Sequence, residues 1–152
     1  MTNYPPIDQL LPHDDPMILI DTAVDIQQDT VHCQVTIGPN NPFFNAESDS
    51  VPSYVGIEFM AQSVAAWSGY HALMQGAEPP IGFLLGSRRY HSECTRFKRG
   101  LLLDIQAEKV IQDNGMAVFA CKIFDQDNCV ASCQLNVFVP NEQQLEQMQL
   151  RS

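Results

Sequence analysis

The strongest constraint on this chain is a long apolar stretch, residues 51–76, which carries one fully charged side chain, Glu58. Pro52 and Ser53 predict a helix start, with Ser53 as the N-cap or as a residue of the first turn. The residues that follow are apolar on every face, which is typical of a helix buried on all sides. Continued to Gln75, this helix would be about 33 Å long, at about 1.5 Å per residue. We therefore predict a long buried helix at the centre of the fold.

Glu58 is the candidate functional group of this helix. A carboxylate inside such a helix is expected to lose hydration and to become able to exchange protons near neutral pH. The alternative is structural, a buried glutamate that is satisfied by a hydrogen bond or paired with a cation. The helix segment alone leaves both interpretations open.

Length and composition indicate one soluble domain. The chain has 152 residues, enough for a substantial core, and the pattern predicts a single domain over residues 1–140 with a polar tail over residues 141–152. The first dozen residues lack the basic and apolar regions of a signal peptide. Polar residues interrupt the stretch 51–74 too often for a membrane span. We expect a cytoplasmic protein that does not bind membranes.

The cysteines predict neither disulfides nor a metal site. There are five, at positions 33, 94, 121, 129 and 133, without a Cys-x-x-Cys pair. Cys129 and Cys133 lie four apart in an apparent strand, which predicts one face and a separation of about 13 Å, too far to bridge. Most are expected to be small core residues in a reducing compartment. No His, Cys and Asp cluster has the spacing of metal ligands.

Alternating apolar and polar positions predict several strands around the helix. Residues 38–42 break the chain before the helix, and tight turns are predicted at 113–115 and 125–128. An α+β fold with one antiparallel sheet wrapped around the helix accommodates this pattern. The predicted strands cover residues 17–21, 30–37, 81–90, 101–108, 116–124 and 130–139.

Positive charge is concentrated in one window of an acidic chain. The net charge is −10, which argues against general nucleic-acid binding. Residues 88–99 nevertheless carry a net charge of +4, because they hold five of the eight Lys and Arg residues and one opposing glutamate. This window is either solvated surface or a docking patch for an acidic partner or a phosphate-bearing ligand. Its basic residues are Arg88, Arg89, Arg96, Lys98 and Arg99.

Four motifs, in order, resemble those of the 3-hydroxyacyl-acyl carrier protein dehydratases, which have the hotdog fold. The opening Leu-Pro-His-Asp-Asp-Pro-Met-Ile-Leu-Ile-Asp at 11–21 is similar to that family's Leu-Pro-His-Arg-x-Pro-x-Leu-Leu-Val-Asp. Asn-Pro-Phe-Phe at 41–44, Glu-Phe-Met-Ala-Gln at 58–62 and Arg-Phe-Lys-Arg at 96–99 match the other three. The overall wording resembles the ApeP-like branch, dehydratase-like proteins encoded with aryl-polyene biosynthesis.

The resemblance implies a chemistry for Glu58. In that family the helix carboxylate and a histidine remove water from a 3-hydroxyacyl thioester to give a trans-2-enoyl thioester. The implied substrate-binding residues are the helix-start residues that polarise the thioester carbonyl and two motif residues: Ser53, Tyr54, Val55, Gly56, Gln62 and Phe44. No metal or redox cofactor is implied. An acyl carrier protein delivers the substrate on phosphopantetheine through a tunnel at a dimer interface, and its acidity gives the basic window a partner.

The chain departs from the family at the usual catalytic histidine. The Gly-His-Phe-Pro motif is absent, and residues 45–51 in its place contain no histidine. His71 lies about 20 Å along the helix from Glu58, at about 1.5 Å per residue. His32 is expected on a solvated strand face, and His91 among the docking residues. His13 is therefore the candidate partner of Glu58, or else a structural residue that anchors the first strand.

Three functions remain open from the sequence. The first is a homodimeric dehydratase with Glu58 and His13 as its acid and base. The second is a non-catalytic subunit that binds the acyl carrier or pairs with an active hotdog partner. The third is an acyl thioesterase that uses Glu58 to activate water.

Overall fold

The computed structural model describes residues 4–13, 15–76 and 83–138. A six-stranded antiparallel sheet, in the order β1-β2-β6-β7-β8-β4, packs on one long helix, α2, and β3 and β5 form a separate two-stranded sheet. This confirms the predicted antiparallel sheet around a central helix. The predicted tail, 141–152, lies outside the described residues. The elements are α1 (Ile7–Leu10), β1 (Thr22–Ile26), β2 (Thr30–Thr36), β3 (Ser50–Pro52), α2 (Gly56–Met74), β4 (Phe83–Ser92), β5 (Arg96–Lys98), β6 (Leu102–Asp113), β7 (Met116–Asp125) and β8 (Asn128–Phe138).

The core lies between the sheet and α2. Alternate residues of β6, β7 and β8 are buried, as their period-two pattern predicts, and they face the buried side of the helix. Each large apolar side chain buried there contributes roughly 1.5–3 kcal/mol. The core residues with no exposed surface include Phe59, Met60, Leu103, Ile105, Phe119, Ile123 and Leu135.

Two tight hairpins set the register of the long strands. Asp113 pairs with Met116 across a two-residue turn, and Asn114 and Gly115 both adopt positive φ, 51° and 85°. Asn-Gly is the preferred sequence for such a turn, because both residues tolerate that conformation. The second turn joins Asp125 to Asn128. Both predicted turns are therefore confirmed.

The first predicted strand is wrong. Residues 17–21 are not a strand, and β1 begins at Thr22. The backbone N–H of Leu19 donates to the Gln62 side chain, Oε1, at 2.8 Å, and not to a neighbouring strand. The first backbone hydrogen bond to the sheet is made by Asp21, whose N–H donates to the Gln34 carbonyl at 2.9 Å. The Gln62 side chain of the helix therefore takes the place that a neighbouring strand would have as hydrogen-bond partner of Leu19.

The predicted common face of Cys129 and Cys133 is also wrong. A bulge in β8 shifts the register between the pairs Phe124–Cys129 and Ile123–Ala131, so the alternation inverts. Cys129 is consequently exposed whereas Cys133 is buried. All five cysteines are free.

The central helix is not buried on every side. Only eight of its 19 residues are buried. The sheet covers one side, and the opening segment with α1 covers another. The remaining side, with Ile57, Glu58, Ala61 and Ala65, stays half-exposed. No helix in the described part of the chain is both long and apolar enough to cross a membrane.

Gly69 allows the opening segment to lie directly on α2. A Cβ atom at this position would stand 1.9 Å from the Leu10 carbonyl oxygen. This atom belongs to the backbone and cannot swing away, so the contact requires glycine. The contact fixes the end of α1, and therefore the start of the segment that contains His13.

We predict that Gly69→Ala lowers the free energy of unfolding by about 3 kcal/mol, the upper part of the usual range for overpacking. The melting temperature should fall by roughly 2–4 °C for each kcal/mol. Gly38→Ala is the matched control, because a Cβ atom there meets nothing within 4 Å. Equal melting temperatures for the two variants in a calorimeter would contradict the close contact.

A 3₁₀ turn, Ser53–Val55, leads into α2 and is held by Tyr90 from β4. The Tyr90 hydroxyl donates a hydrogen bond to the Ser53 carbonyl. Gly56 provides the space, because a Cβ atom there would lie 2.6 Å from the Tyr90 oxygen. Ser53 is thus a first-turn residue, as predicted, but it makes no side-chain cap. Burial raises the pKa of Tyr90 from 10.0 to about 12.

We predict that Tyr90→Phe lowers the free energy of unfolding by about 1 kcal/mol at pH 8, the value of one hydrogen bond. This difference should shrink as the pH rises from about 10 towards 12. In that window the unfolded wild-type chain loses the Tyr90 proton while the folded chain retains it, so the wild type loses stability that the variant never had. Urea unfolding at several pH values measures this. Tyr54→Phe, which removes the hydroxyl of a 60% exposed tyrosine, is the control and should show no such convergence.

Candidate active site

The structure brings Glu58 and His13 together. His13 Nε2 lies 3.9 Å from Glu58 Oε1, and the two side chains are 31% and 40% exposed. The expectation that Glu58 loses its hydration is therefore wrong for this chain, because Glu58 lies on the uncovered side of α2. The separation is longer than a hydrogen bond. It leaves both groups accessible to a molecule that approaches this side of the helix.

His13 is positioned by the backbone on either side of it. Pro12 and Pro16 flank it, and its Nδ1 atom is buried without a hydrogen-bond partner among the described residues. Among the described residues, no hydrogen bond from a neighbouring group thus fixes the orientation of the ring. Its position depends on how the opening segment is attached to α2.

Gln62 makes that attachment one turn after Glu58. Its side chain is fully buried. Oε1 accepts from the Leu19 N–H at 2.8 Å, while Nε2 donates to the Met17 carbonyl at 2.6 Å and to Glu58 Oε1 at 3.5 Å. The expectation that Gln62 contacts substrate is corrected, because its polar atoms already have partners within the protein.

Of the backbone amides at the start of the helix, two could bind a substrate carbonyl. The Ser53 N–H donates to the Thr95 carbonyl at 2.9 Å, and the Gly56 N–H is used within the turn. Ser53 therefore does not offer its amide to a substrate carbonyl, and Gly56 serves the contact with Tyr90. The amides of Tyr54 and Val55 remain at the positive end of the helix dipole, where they could polarise a carbonyl.

The other three histidines are engaged elsewhere. His71 hydrogen-bonds the Gln27 carbonyl at 2.9 Å, and His91 pairs with Glu93 at 2.8 Å on the surface. The expectation that His32 is solvated is wrong. It is 27% exposed and lies 2.6 Å from Asp104 on the neighbouring strand. Cross-strand pairing, which single-strand alternation does not show, explains this difference.

The loop that replaces the usual histidine motif is held by two residues of the basic window. Arg99 pairs with Asp49 at 2.9 Å, and its guanidinium lies 5.5 Å from the centre of the Phe44 ring. Arg96 donates to the Ser48 hydroxyl at 3.1 Å. These contacts give both arginines, and Phe44, a structural task at this loop.

The other basic residues are arranged differently. Arg89 and Lys98 are exposed, and neither forms an ion pair with any described residue. The Arg88 side chain lies outside the described residues. The free positive charge of the window is therefore smaller than its composition indicates.

Two of the three buried thiols, those of Cys33 and Cys121, are poor candidates for a nucleophile. Burial raises the pKa of Cys33 to about 11, and the hydrogen bond that the Cys121 thiol donates to Cys133, together with burial, raises the pKa of Cys121. Thiols are reactive as thiolates, so raised values oppose nucleophilic chemistry at neutral pH. The acid/base pair of Glu58 and His13 is the better candidate.

Sequence reasoning missed the residues that support the site. Tyr90, which holds the helix start, lies in no motif, and the opening motif at 11–21 does not show that the backbone groups of Met17 and Leu19 bind Gln62. The only signal for Tyr90 is indirect. A glycine at position 56, in the first turn of the helix, indicates that another group packs closely against the backbone there.

Comparisons with known proteins identify a family and several structures with the same fold. The ApeP-like family, described as ApeP dehydratase, matches residues 5–149. The structure described as the dehydratase heterocomplex ApeI:P from Xenorhabdus doucetiae is 33% identical, with a TM-score of 0.87, over 95% of this chain and 97% of that chain. No curated protein sequence matches.

More distant structures share the fold alone. A hypothetical thioesterase from Streptococcus pneumoniae TIGR4, solved with coenzyme A, is 15% identical over 78% of this chain and 86% of that chain, with a TM-score of 0.61. The E. coli PaaI protein is 11% identical over 79% of each chain, with a TM-score of 0.61. The predicted hotdog fold is confirmed. Because the family match extends over nearly the whole chain, this protein is a member of the ApeP-like dehydratase family.

Proposed function

We propose that the protein removes water from a 3-hydroxyacyl thioester carried on an acyl carrier protein, with Glu58 and His13 as the acid/base pair. The observation that carries this proposal is the 3.9 Å approach of His13 Nε2 to Glu58 Oε1 on the open side of α2. The chain belongs to a dehydratase family, and of its four histidines only this one contacts Glu58 within the described residues. We further infer that it acts in the cytoplasm without a metal or redox cofactor.

The reaction needs one proton removed and one supplied. One member of the pair takes the proton from C2 of the thioester, and the other donates a proton to the 3-hydroxyl, which leaves as water. The electrons of the C2–H bond form the double bond to C3, and the thioester survives. The amides of Tyr54 and Val55 would stabilise negative charge on the thioester oxygen as the C2 proton leaves.

A second candidate is a subunit that supports an active hotdog partner. Residues 45–51 contain no histidine, and β4 is an edge strand of the sheet that a second sheet could extend. The similar Xenorhabdus structure is itself described as a heterocomplex. We infer that the chain assembles as a homodimer or as a heterodimer with another hotdog subunit.

Mass spectrometry of a carrier-bound 3-hydroxyacyl substrate separates these functions. Loss of one water with the thioester intact supports the dehydratase. Release of the free acid supports a thioesterase of the same fold. An unchanged substrate with a stable carrier complex, and turnover only after a second hotdog subunit is added, supports the partner subunit.

We predict that Glu58→Gln lowers turnover by at least about 10²-fold, the usual contribution of general acid/base catalysis. His13→Ala should cause a comparable loss, because each group supplies one of the two proton transfers. Glu108→Gln is the matched control, since Glu108 is exposed on β6 and lies outside the basic window. Full turnover in Glu58→Gln would exclude the proposed chemistry. A His13→Ala variant with a lower melting temperature but normal turnover would assign His13 a structural role.

We predict that the double reversal Arg89→Glu and Lys98→Glu weakens carrier binding and reduces its salt dependence, because exposed basic residues steer an acidic partner. Stability should change by less than about 1 kcal/mol. Lys122→Glu, on the exposed face of β7, is the matched control. Surface plasmon resonance at two salt concentrations measures the effect. Binding that is equal for both variants would identify the basic window as ordinary solvated surface.

A further inference from the structure

His13 lies between two attachments of the opening segment to α2. The first is the contact of Leu10 with Gly69, and the second is the pair of hydrogen bonds that Gln62 makes with Met17 and Leu19. Gln62 and Gly69 are seven residues apart, two helical turns, and therefore share one face of α2. The segment is thus held along this face on both sides of His13.

The attachment at Gln62 differs from that at Gly69 because it also reaches the carboxylate. One donor group, Nε2, lies 2.6 Å from the Met17 carbonyl and 3.5 Å from Glu58 Oε1. The Leu19 N–H, 2.8 Å from Oε1, determines which way the amide faces, because a reversed amide would set two donors against each other. Nε2 must therefore point towards Met17 and Glu58.

This arrangement matters because no described residue makes a hydrogen bond that orients the His13 ring. Its Nδ1 atom is buried and unpartnered in the described structure, and Nε2 faces Glu58 beyond hydrogen-bond distance. The usual third group, which orients a catalytic base through its second nitrogen, is not present among the described residues. Residues 17–20 form no strand and make no described backbone hydrogen bond to the sheet, whose first bond to this segment is at Asp21.

We propose that Gln62 is a positioning residue that holds the His13 segment and the Glu58 carboxylate as one unit. The proposal rests on the proposed function of this pair, and it adds a residue that has no contact with substrate. If the attachment is lost, the segment remains held at Gly69, but the distance between His13 and Glu58 is no longer defined. A displacement of about 1 Å between reacting groups can cost about 10²-fold in rate.

Gln62→Met tests this, because methionine has a similar size and shape but cannot make the three hydrogen bonds. We expect kcat to fall by about 10²-fold while KM changes by less than about threefold, since substrate contacts are retained. Ser63→Ala is the matched control. Ser63 is the neighbouring buried polar residue, and its hydroxyl donates to the Phe59 carbonyl within the helix. Equal kcat values for the two variants would overturn the proposal.

A second readout does not require turnover. The Cε1–H resonance of His13, assigned by its loss in His13→Ala, should shift when Glu58→Gln is introduced into the wild-type chain. The same change in the Gln62→Met background should no longer shift this resonance. An equal shift in both backgrounds would overturn the proposal. If the wild type dehydrates no substrate, the proposed function fails, and this measurement still decides the role of Gln62.

If Gln62→Met does not fold, hydrogen exchange on the wild-type protein provides the test. The Leu19 amide should be protected as strongly as amides of β6 and β7, because it is bonded to a fully buried side chain. Exchange of Leu19 at the rate of a free loop amide would show that the attachment is not stable, and would overturn the proposal.

Discussion

The apolar surface of α2 is the constraint on which the structure depends. The helix carries one fully charged residue, Glu58, and requires cover on more sides than a single sheet can supply. The sheet covers one side with β6, β7 and β8. The opening segment covers a second side. Its backbone lies so close to the helix that only glycine fits at position 69. The third side stays half-exposed in the single chain, and it is the side on which the carboxylate lies.

The placement of Glu58 follows from the balance between burial and hydration. Full burial of an unpaired carboxylate would cost several kcal/mol. On the uncovered side Glu58 keeps 40% of its side-chain surface exposed and has a histidine and an amide donor nearby. A hotdog partner that packs against this side would exclude water and strengthen these electrostatic interactions. Assembly and chemistry would then be coupled at the same surface of the helix.

The sequence predicted the elements whose signals are local and strong. The Asn114-Gly115 turn and the alternation of β6, β7 and β8 predicted the main sheet, and the apolar stretch predicted α2. The errors have a common cause. Residues 17–21 are apolar like a buried strand, but the Leu19 amide binds Gln62, which is 43 residues away. The alternation of β2 predicts a solvated His32, but Asp104 on the neighbouring strand lies beside it. One bulge in β8 places Cys129 and Cys133 on opposite faces. Pairing across the chain, which one sequence does not show, decided each case.

The site shows the same division between local and distant signals. His13 and Glu58 could be named from sequence, because Glu58 is isolated in apolar surroundings and His13 lies in a motif between two prolines. Their pairing was expected, but what holds the two groups near each other could not be predicted, because it depends on the contact of Gln62 with the opening segment. Composition also overestimated the positive charge that the basic window has available for a partner. Arg96 and Arg99 are close to Ser48, Asp49 and Phe44, and they hold the loop that replaces the usual histidine motif.

The distance between His13 and Glu58 has a physical advantage for the proposed reaction. A direct hydrogen bond between them would have to break before either group could transfer a proton to or from substrate, at a cost of about 1–3 kcal/mol for a charged pair. At 3.9 Å the groups are close enough to act on neighbouring carbons of one chain, and no such bond needs to be broken. The separation is maintained by attachments outside the pair, at Gly69 and Gln62. His13 and Glu58 can therefore lie next to each other on the open side of the helix without a mutual hydrogen bond that would hinder proton transfer to or from the substrate.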